Sequence, residues 1–410
     1  MRIENFQLMA KPSGSLCNLD CAYCFYLEKE KLYPDRKQNW RMNNATLEKY
    51  ITSHIASQHG DVVDFLWQGG EPTLLGIEFY LHAVELQQKY RGSKSVNNFF
   101  QTNGVNINSD WAKFFREHNF LVGVSIDGDR ACHDAYRVTR AGKSTFDAVL
   151  DGIALLRRYH VQFNTLTVVN DVNVRRPVEL YRFLKSIGSR YMQFIPLTER
   201  RAAIPDADGL TLIPPDFAGE CRVESWSVPP LAWGEFLNAI FDEWATKDIG
   251  QTFVMNFEQT LAQLYGMQSA CVISETCGAN LIVEANGDVY SCDHFVYPEN
   301  RLGNIHSQDI AAMVNSPQNL AFAQRKATNI SKDCLSCPYR QACNGGCPKH
   351  RFALSSDGKP NKHYLCEGFR RHLSHAVPAL HQLYALLGKS ASPTRMKREM
   401  KAILQNRQQH

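Results

Sequence analysis

No uninterrupted apolar run in this 410-residue chain approaches the roughly 18 residues that a membrane span requires. The opening residues, Met1-Arg2-Ile3-Glu4-Asn5-Phe6, carry no apolar signal core. Both absences point to a soluble, cytoplasmic protein. An internal repeat is also missing, and 44% apolar with 21% charged residues excludes a disordered composition. Strong charge of one sign is absent too. The net charge is +4, and residues 389–410 hold six Lys or Arg against one Glu, leaving the rest of the chain close to neutral. Basicity confined to an end reads as a solvated tail, so neither nucleic acid nor membrane is expected as a partner.

What the chain has in excess is cysteine. There are thirteen, three of them within residues 17–24 and eight between Cys271 and Cys366. Cytosolic thiols stay reduced, so this density indicates metal or redox chemistry and not disulfides.

From residue 1 to 200, strand-like runs at 6–10, 62–67, 96–101, 121–126, 161–169 and 191–195 alternate with helical patterns. The helices fall near 45–58, 76–90, 109–118, 145–159 and 175–187, with Asn44 or Thr46, Ser109 and Ser144 as candidate N-caps. Such alternation predicts an α/β fold, a parallel sheet with helical crossovers whose site lies at the C-terminal strand ends. Six units suit an open, partial βα barrel. Pro205, Pro214, Pro215, Pro229 and Pro230 mark residues 201–266 as a linker with two connecting helices, near 234–246 and 256–266. A cysteine-rich domain over 267–370 follows, drawing much of its cohesion from metal. A helix through 367–387 and the basic tail complete the chain over 371–410.

Cys17, Cys21 and Cys24 form a CxxxCxxC pattern after the first strand. Three thiolates hold three irons of a cubane cluster and leave the fourth iron open to a cofactor; zinc, the alternative, normally takes four ligands. Here the chain resembles the radical S-adenosylmethionine (SAM) superfamily. Tyr23, directly before the third cysteine, matches a residue that lies near the adenine. Gly69-Gly70-Glu71-Pro72 resembles the GGEP motif that contacts the methionine amino group. Paired glycines admit close backbone approach, and the Glu71 carboxylate can accept from an ammonium; a plain turn is the alternative. Ser125-Ile126-Asp127-Gly128 resembles the ribose-contacting segment. Arg137 matches a position that reaches the cofactor carboxylate, and Leu197 one that packs by the adenine. The resemblance implies a partial (βα)6 radical-SAM barrel. It also implies S-adenosylmethionine cleaved to a 5′-deoxyadenosyl radical, which abstracts a hydrogen while the protein positions the reactants.

The eight later cysteines would fully ligate two further cubanes. Cys334-Leu335-Ser336-Cys337 also has the spacing of a zinc knuckle, which would make the region a zinc-stabilised interaction module. The run from Cys334 through Cys343 to Cys347 resembles the C-terminal domain called SPASM. That resemblance implies Cys271, Cys277, Cys292 and Cys347 around an inner cluster, and Cys334, Cys337, Cys343 and Cys366 around an outer one. Three [4Fe-4S] clusters result, with Cys132 and Cys221 left as ordinary buried thiols.

Asp293, directly after Cys292, resembles the general base of anaerobic sulfatase-maturating enzymes; otherwise it is a carboxylate that orients a neighbour of the cluster. Residues 9–12 (MAKP), 24–28 (CFYLE), 67–72 (WQGGEP) and 346–350 (GCPKH) read the same way. The family implies oxidation of a Cys or Ser in an unfolded sulfatase polypeptide to Cα-formylglycine. The radical removes the Cβ hydrogen, Asp293 takes the thiol or hydroxyl proton, and the inner cluster takes an electron. A flavodoxin- or ferredoxin-type protein would supply the starting electron. The alternative within the superfamily is a thioether or carbon–carbon link in a ribosomally made peptide.

Overall fold

The computed structural model describes residues 2–32, 40–204, 209–217, 219–267 and 269–407. Pro205 of the expected linker and residues 408–410 of the tail lie outside them. Strands and helices alternate as β1 (Gln7–Lys11), α1 (Asn44–Ser57), β2 (Val62–Trp67), α2 (Ile77–Tyr90), β3 (Ser95–Thr102), α3 (Ser109–Glu117) and β4 (Leu121–Ser125). The short α4 (Arg130–His133) precedes α5 (Phe146–Arg158), β5 (Phe163–Val169), α6 (Pro177–Ser186) and β6 (Tyr191–Pro196). These six strands pair in parallel and in chain order, as the alternation predicts. Period-two burial makes them strands: Val63, Phe65 and Trp67 of β2 point into the core. There the Trp67 ring meets Tyr50 of α1 and Tyr80 of α2 edge-on, at 5.7 and 5.6 Å.

The capping residues differ from expectation. Asn43 caps α1 by accepting from Thr46 N at 2.8 Å, and Asn108 caps α3 through Asp110 N and Trp111 N. Asn43 lies one residue before Asn44 and three before Thr46, and Asn108 one before Ser109, because the capping backbone must still be extended. At α5 the acceptor comes from outside the helix: Asp134 Oδ1 takes Thr145 N and Phe146 N.

The proline-marked segment holds a small antiparallel pair, β7 (Arg200–Ala202) with β8 (Cys221–Val223). Next comes α7 (Pro230–Lys247), with Pro230 in its first turn, where a missing N–H costs nothing. Then β9 (Phe253–Val254) adds a parallel strand beyond β6, followed by α8 (Met255–Leu264).

The cysteine-rich region shares the sheet of the first half. Its β10 (Asn280–Glu284) runs parallel to β1, and β11 (Asp288–Tyr290) and β12 (Arg301–Asn304) extend the edge antiparallel. The result is a ten-stranded sheet. Leu281, Val283 and Val289 join the principal core, so burial against the first half also holds this region. Beyond it lie α9 (Ile310–Val314), α10 (Pro317–Thr328), α11 (Lys332–Leu335), α12 (Arg340–Cys343), β13 (Arg351–Ala353) and β14 (Lys362–His363). The chain ends in α13 (Cys366–Gly388), packed along α7, and α14 (Pro393–Arg407).

The basic end is not simply solvated, as its charge suggested. Met396, Met400 and Leu404, spaced four apart, are buried in the principal core and turn Arg395, Arg398 and Lys401 outward. Among the described residues no helix is long and apolar enough to cross a membrane.

Candidate active site

A cavity of about 440 Å³ opens where the parallel strands end, running from Cys17, Cys21 and Cys24 to Asp293 and Cys347. The loop after β1 carries the three cysteines, and the loop after β2 is stitched onto it. Gly70 N donates to Gly14 O and Glu71 N to Leu16 O, both at 2.8 Å. This approach requires glycine: a Cβ on Gly70 would lie 2.1 Å from Leu16 O. Gly69 and Gly70 line the chamber.

Glu71 does not line it. Fully buried, it accepts from Thr73 N at 3.0 Å, Thr73 Oγ1 at 2.7 Å, Thr102 Oγ1 at 2.8 Å and Asn103 N at 2.8 Å. Its carboxylate fastens the β2 and β3 loops together. Asp127 behaves alike, buried outside the lining. Its Oδ2 accepts from Tyr23 Oη at 2.5 Å and Arg137 Nε at 2.8 Å, and its Oδ1 from Val168 N. It thereby orients Tyr23 and Arg137, which do line the chamber together with Ser125 and Leu197. The Arg137 guanidinium lies 5.5 Å from the Tyr23 ring centre, and Ser125 Oγ accepts from Gln101 Nε2.

At the far end, Asp293 Oδ1 lies 2.6 Å from Lys11 Nζ. This is an ionic contact without hydrogen-bond alignment. Lys11 also sits 4.3 Å over the Tyr26 ring, whose hydroxyl donates to Glu284. Burial alone would raise the Asp293 carboxyl; Lys11 leads the neighbouring cations that more than offset it, holding the group below its ordinary value. Asp293 thus presents its carboxyl to the chamber beside a buried cation.

Sequence reasoning missed a second charged pair in the chamber wall, Lys349 with Glu199. Lys349 Nζ lies 4.1 Å from the Phe25 ring centre. Lys11 and Lys349 fall in the MAKP and GCPKH blocks, which was the available signal. Spacing alone cannot tell a buried lysine from a surface one.

The thiols fall into three groups by the neighbours whose charge each one feels. Cys17 and Cys21 each feel Cys24. Cys277 and Cys292 each feel Cys271 and Cys347. Cys366 feels Cys334 and Cys337, and Cys343 feels Cys366 and Cys334. These groups coincide with the sets that the resemblance implies. Burial pushes Cys17, Cys21, Cys277 and Cys343 up to about 12. Buried thiols of this kind lose protons only to a strongly cationic partner, as iron is. No group of three His, Cys, Asp or Glu among the described residues could hold a single metal ion. A donor set of thiols, in one group of three and two of four, fits iron–sulfur clusters. Of the two remaining cysteines, Cys132 is buried, whereas Cys221 is half-exposed beside Arg200, against expectation.

Comparison with known proteins agrees with this geometry. The family model for the radical SAM superfamily matches residues 12–184, and that for an iron-sulfur cluster-binding domain matches residues 271–338. The chain is similar to the serine-type anaerobic sulfatase-maturating enzyme of Bacteroides thetaiotaomicron, with 41% identity over 96% of this chain and 95% of that protein. It is also similar to the cysteine-type enzyme of Clostridium novyi, with 32% identity over 90% and 94%. The solved structure of native anSMEcpe with bound AdoMet and Cp18Cys peptide superposes with a TM-score of 0.79. It is 29% identical and covers 93% of this chain and 99% of its own.

Proposed function

Because this chain belongs to the anaerobic sulfatase-maturating enzymes of the radical SAM superfamily, we propose that it oxidises a Ser or Cys of an unfolded sulfatase polypeptide to Cα-formylglycine. The observation that carries this reading is the chamber that joins the three-cysteine loop to Asp293. When bound, S-adenosylmethionine and the [4Fe-4S] clusters supply a 5′-deoxyadenosyl radical that removes the Cβ hydrogen, and an acceptor for one electron.

The residues divide the remaining work. Cys17, Cys21 and Cys24 would hold the first cluster, leaving one iron for the cofactor. Gly69 and Gly70 let the backbone approach the cofactor, while Tyr23, Ser125, Arg137 and Leu197 wall it in. Asp127 and Glu71 act as positioning residues behind them. Asp293 accepts the hydroxyl or thiol proton as general base. One hydrogen atom, one proton and one electron leave the side chain. A serine gives the aldehyde directly, and a cysteine gives a thioaldehyde that water converts. Cys271, Cys277, Cys292 and Cys347, grouped beside Asp293, would hold the electron-accepting cluster. Cys334, Cys337, Cys343 and Cys366 would hold the outer one. A flavodoxin- or ferredoxin-type donor would supply the starting electron, and free thiols suit a reducing cytoplasm.

The test is anaerobic reconstitution followed by incubation with S-adenosylmethionine, a reductant and a sulfatase-like peptide with a Cys-x-Pro-x-Arg core or its Ser counterpart. The serine-type relative is the more similar, at 41% against 32%, so serine is the first target to try. Roughly twelve irons and formylglycine are expected. Cofactor cleavage with a crosslinked peptide instead would move the enzyme to the peptide-modifying class.

A further inference from the structure

Between the two later cysteine groups lies a buried guanidinium. Arg351, 9% exposed, donates to five carbonyls: Gly345 O from Nε, Lys326 O and Asn329 O from Nη1, and Asn344 O and Gly346 O from Nη2, at 2.6–3.2 Å. Three of these belong to the loop between Cys343 and Cys347, which supplies one cysteine to each group. Asn344, Gly345 and Gly346 turn through three consecutive left-handed conformations, φ 46°, 70° and 65°. Only a glycine-rich segment does this readily, and it aims three carbonyls at one cation.

These bonds satisfy the N–H groups but leave the charge uncompensated. Among the described residues Arg351 forms no ion pair with a carboxylate, and neither does Lys326. Lys326 is 1% exposed and donates to Cys271 O at 2.6 Å and Val272 O at 3.2 Å. A buried charge without a partner is costly. The anionic groups these cations face are thiols. Arg351 meets Cys334 and Cys343 of the outer group and Cys277 and Cys347 of the inner one. Lys326 faces Cys277, Cys347 and Cys271. Four thiolates around a cubane core leave each filled site with about two negative charges, which is the compensation both cations lack.

We propose that Arg351 is the counter-charge shared by the two auxiliary clusters, with Lys326 serving chiefly the inner one, and that together they raise the clusters' reduction potentials. The proposal rests on the cysteine ligation proposed above. Net charge near a cluster is one of the determinants of its potential. A fixed cation between two clusters favours the added electron on both, so the inner one can accept and the outer one can share it.

The experiment is a redox titration followed by electron paramagnetic resonance on full-length, reconstituted protein, with iron counted in each sample. Arg351→Met should lower both auxiliary midpoint potentials. Arg351→Lys, which keeps the charge but loses the five-point fork, should stay near wild type. Lys326→Met should lower the inner potential more than the outer. The cluster on Cys17, Cys21 and Cys24 should not move in any variant. Full iron with unmoved auxiliary potentials in Arg351→Met overturns the proposal, as does Arg351→Lys falling as far as Arg351→Met, which would assign the residue to loop geometry alone. Should Arg351→Met lose its auxiliary iron, Lys326→Met decides, since it keeps the Lys326 carbonyl and the 344–346 loop: an unchanged inner potential rejects the idea. A wild-type protein without auxiliary iron would instead sink the ligation reading beneath it.

Discussion

Lys11 Nζ and Asp293 Oδ1 are 2.6 Å apart, one from the last residue of β1 and the other from the turn after β11, joined because β10 lies against β1. The contact works to lower the carboxyl of the proposed base. Burial works to raise the Asp293 carboxyl, and Lys11 leads the cations that pull it down. A carboxylate depressed in this way adds stability above its unfolded value near 3.9, and loses it as pH falls through the folded value. In Lys11→Met the leading opposing charge is lost while His294 and Lys349 remain, so the carboxyl should rise from its present value. The acid limb of the pH profile for peptide oxidation should move to higher pH, and Lys11→Arg should restore it. A profile unchanged in Lys11→Met would detach the lysine from the base.

Asp293→Asn keeps the shape of the side chain and removes its basicity. Cofactor cleavage, followed as 5′-deoxyadenosine, should continue, while formylglycine formation falls by about 10²–10⁴. Product at the normal rate would show that another group, or water, takes the proton.

Gly70→Ala tests the stitching of the two loops. The added methyl would meet Leu16 O at 2.1 Å and Ser15 O at 2.6 Å, backbone atoms that cannot rotate aside. The cysteine loop must shift, so the variant should lose the iron held by Cys17, Cys21 and Cys24 while the other eight cysteines keep theirs. Four missing irons out of roughly twelve is the expected reading; full iron would mean that the loop yields more easily than its packing suggests.

The six strand and helix units could be read from the sequence because burial there is periodic and local. Val63, Phe65 and Trp67 announce β2 by themselves. Nothing local announces that Asn280–Glu284 will lie beside Gln7–Lys11, since that pairing joins segments about 270 residues apart. The Lys11–Asp293 contact was hidden for the same reason. The first cysteine group was readable because thiolate spacing constrains metal sites directly, and the later two through the resemblance, whereas the hydrogen-bond partners of Glu71 and Asp127 were not. Their motifs put a carboxylate near the cofactor; whether it faces the chamber or the scaffold depends on partners such as Thr102 and Val168, contributed by other strands.

The basic end offers a last test. Its composition reads as a solvated tail, yet Met400 is fully buried in the principal core. Met400→Ala should cost about 2–5 kcal/mol, the usual penalty for emptying a packed methionine site, seen as a lower melting temperature of the reconstituted protein. Lys401→Ala, on the exposed face of the same helix, should stay within about 0.5 kcal/mol. If the two variants melt together at the wild-type temperature, α14 contributes nothing to the core. If only Met400→Ala falls, the helix is part of the support of α7, against which α6, α13 and α14 all pack.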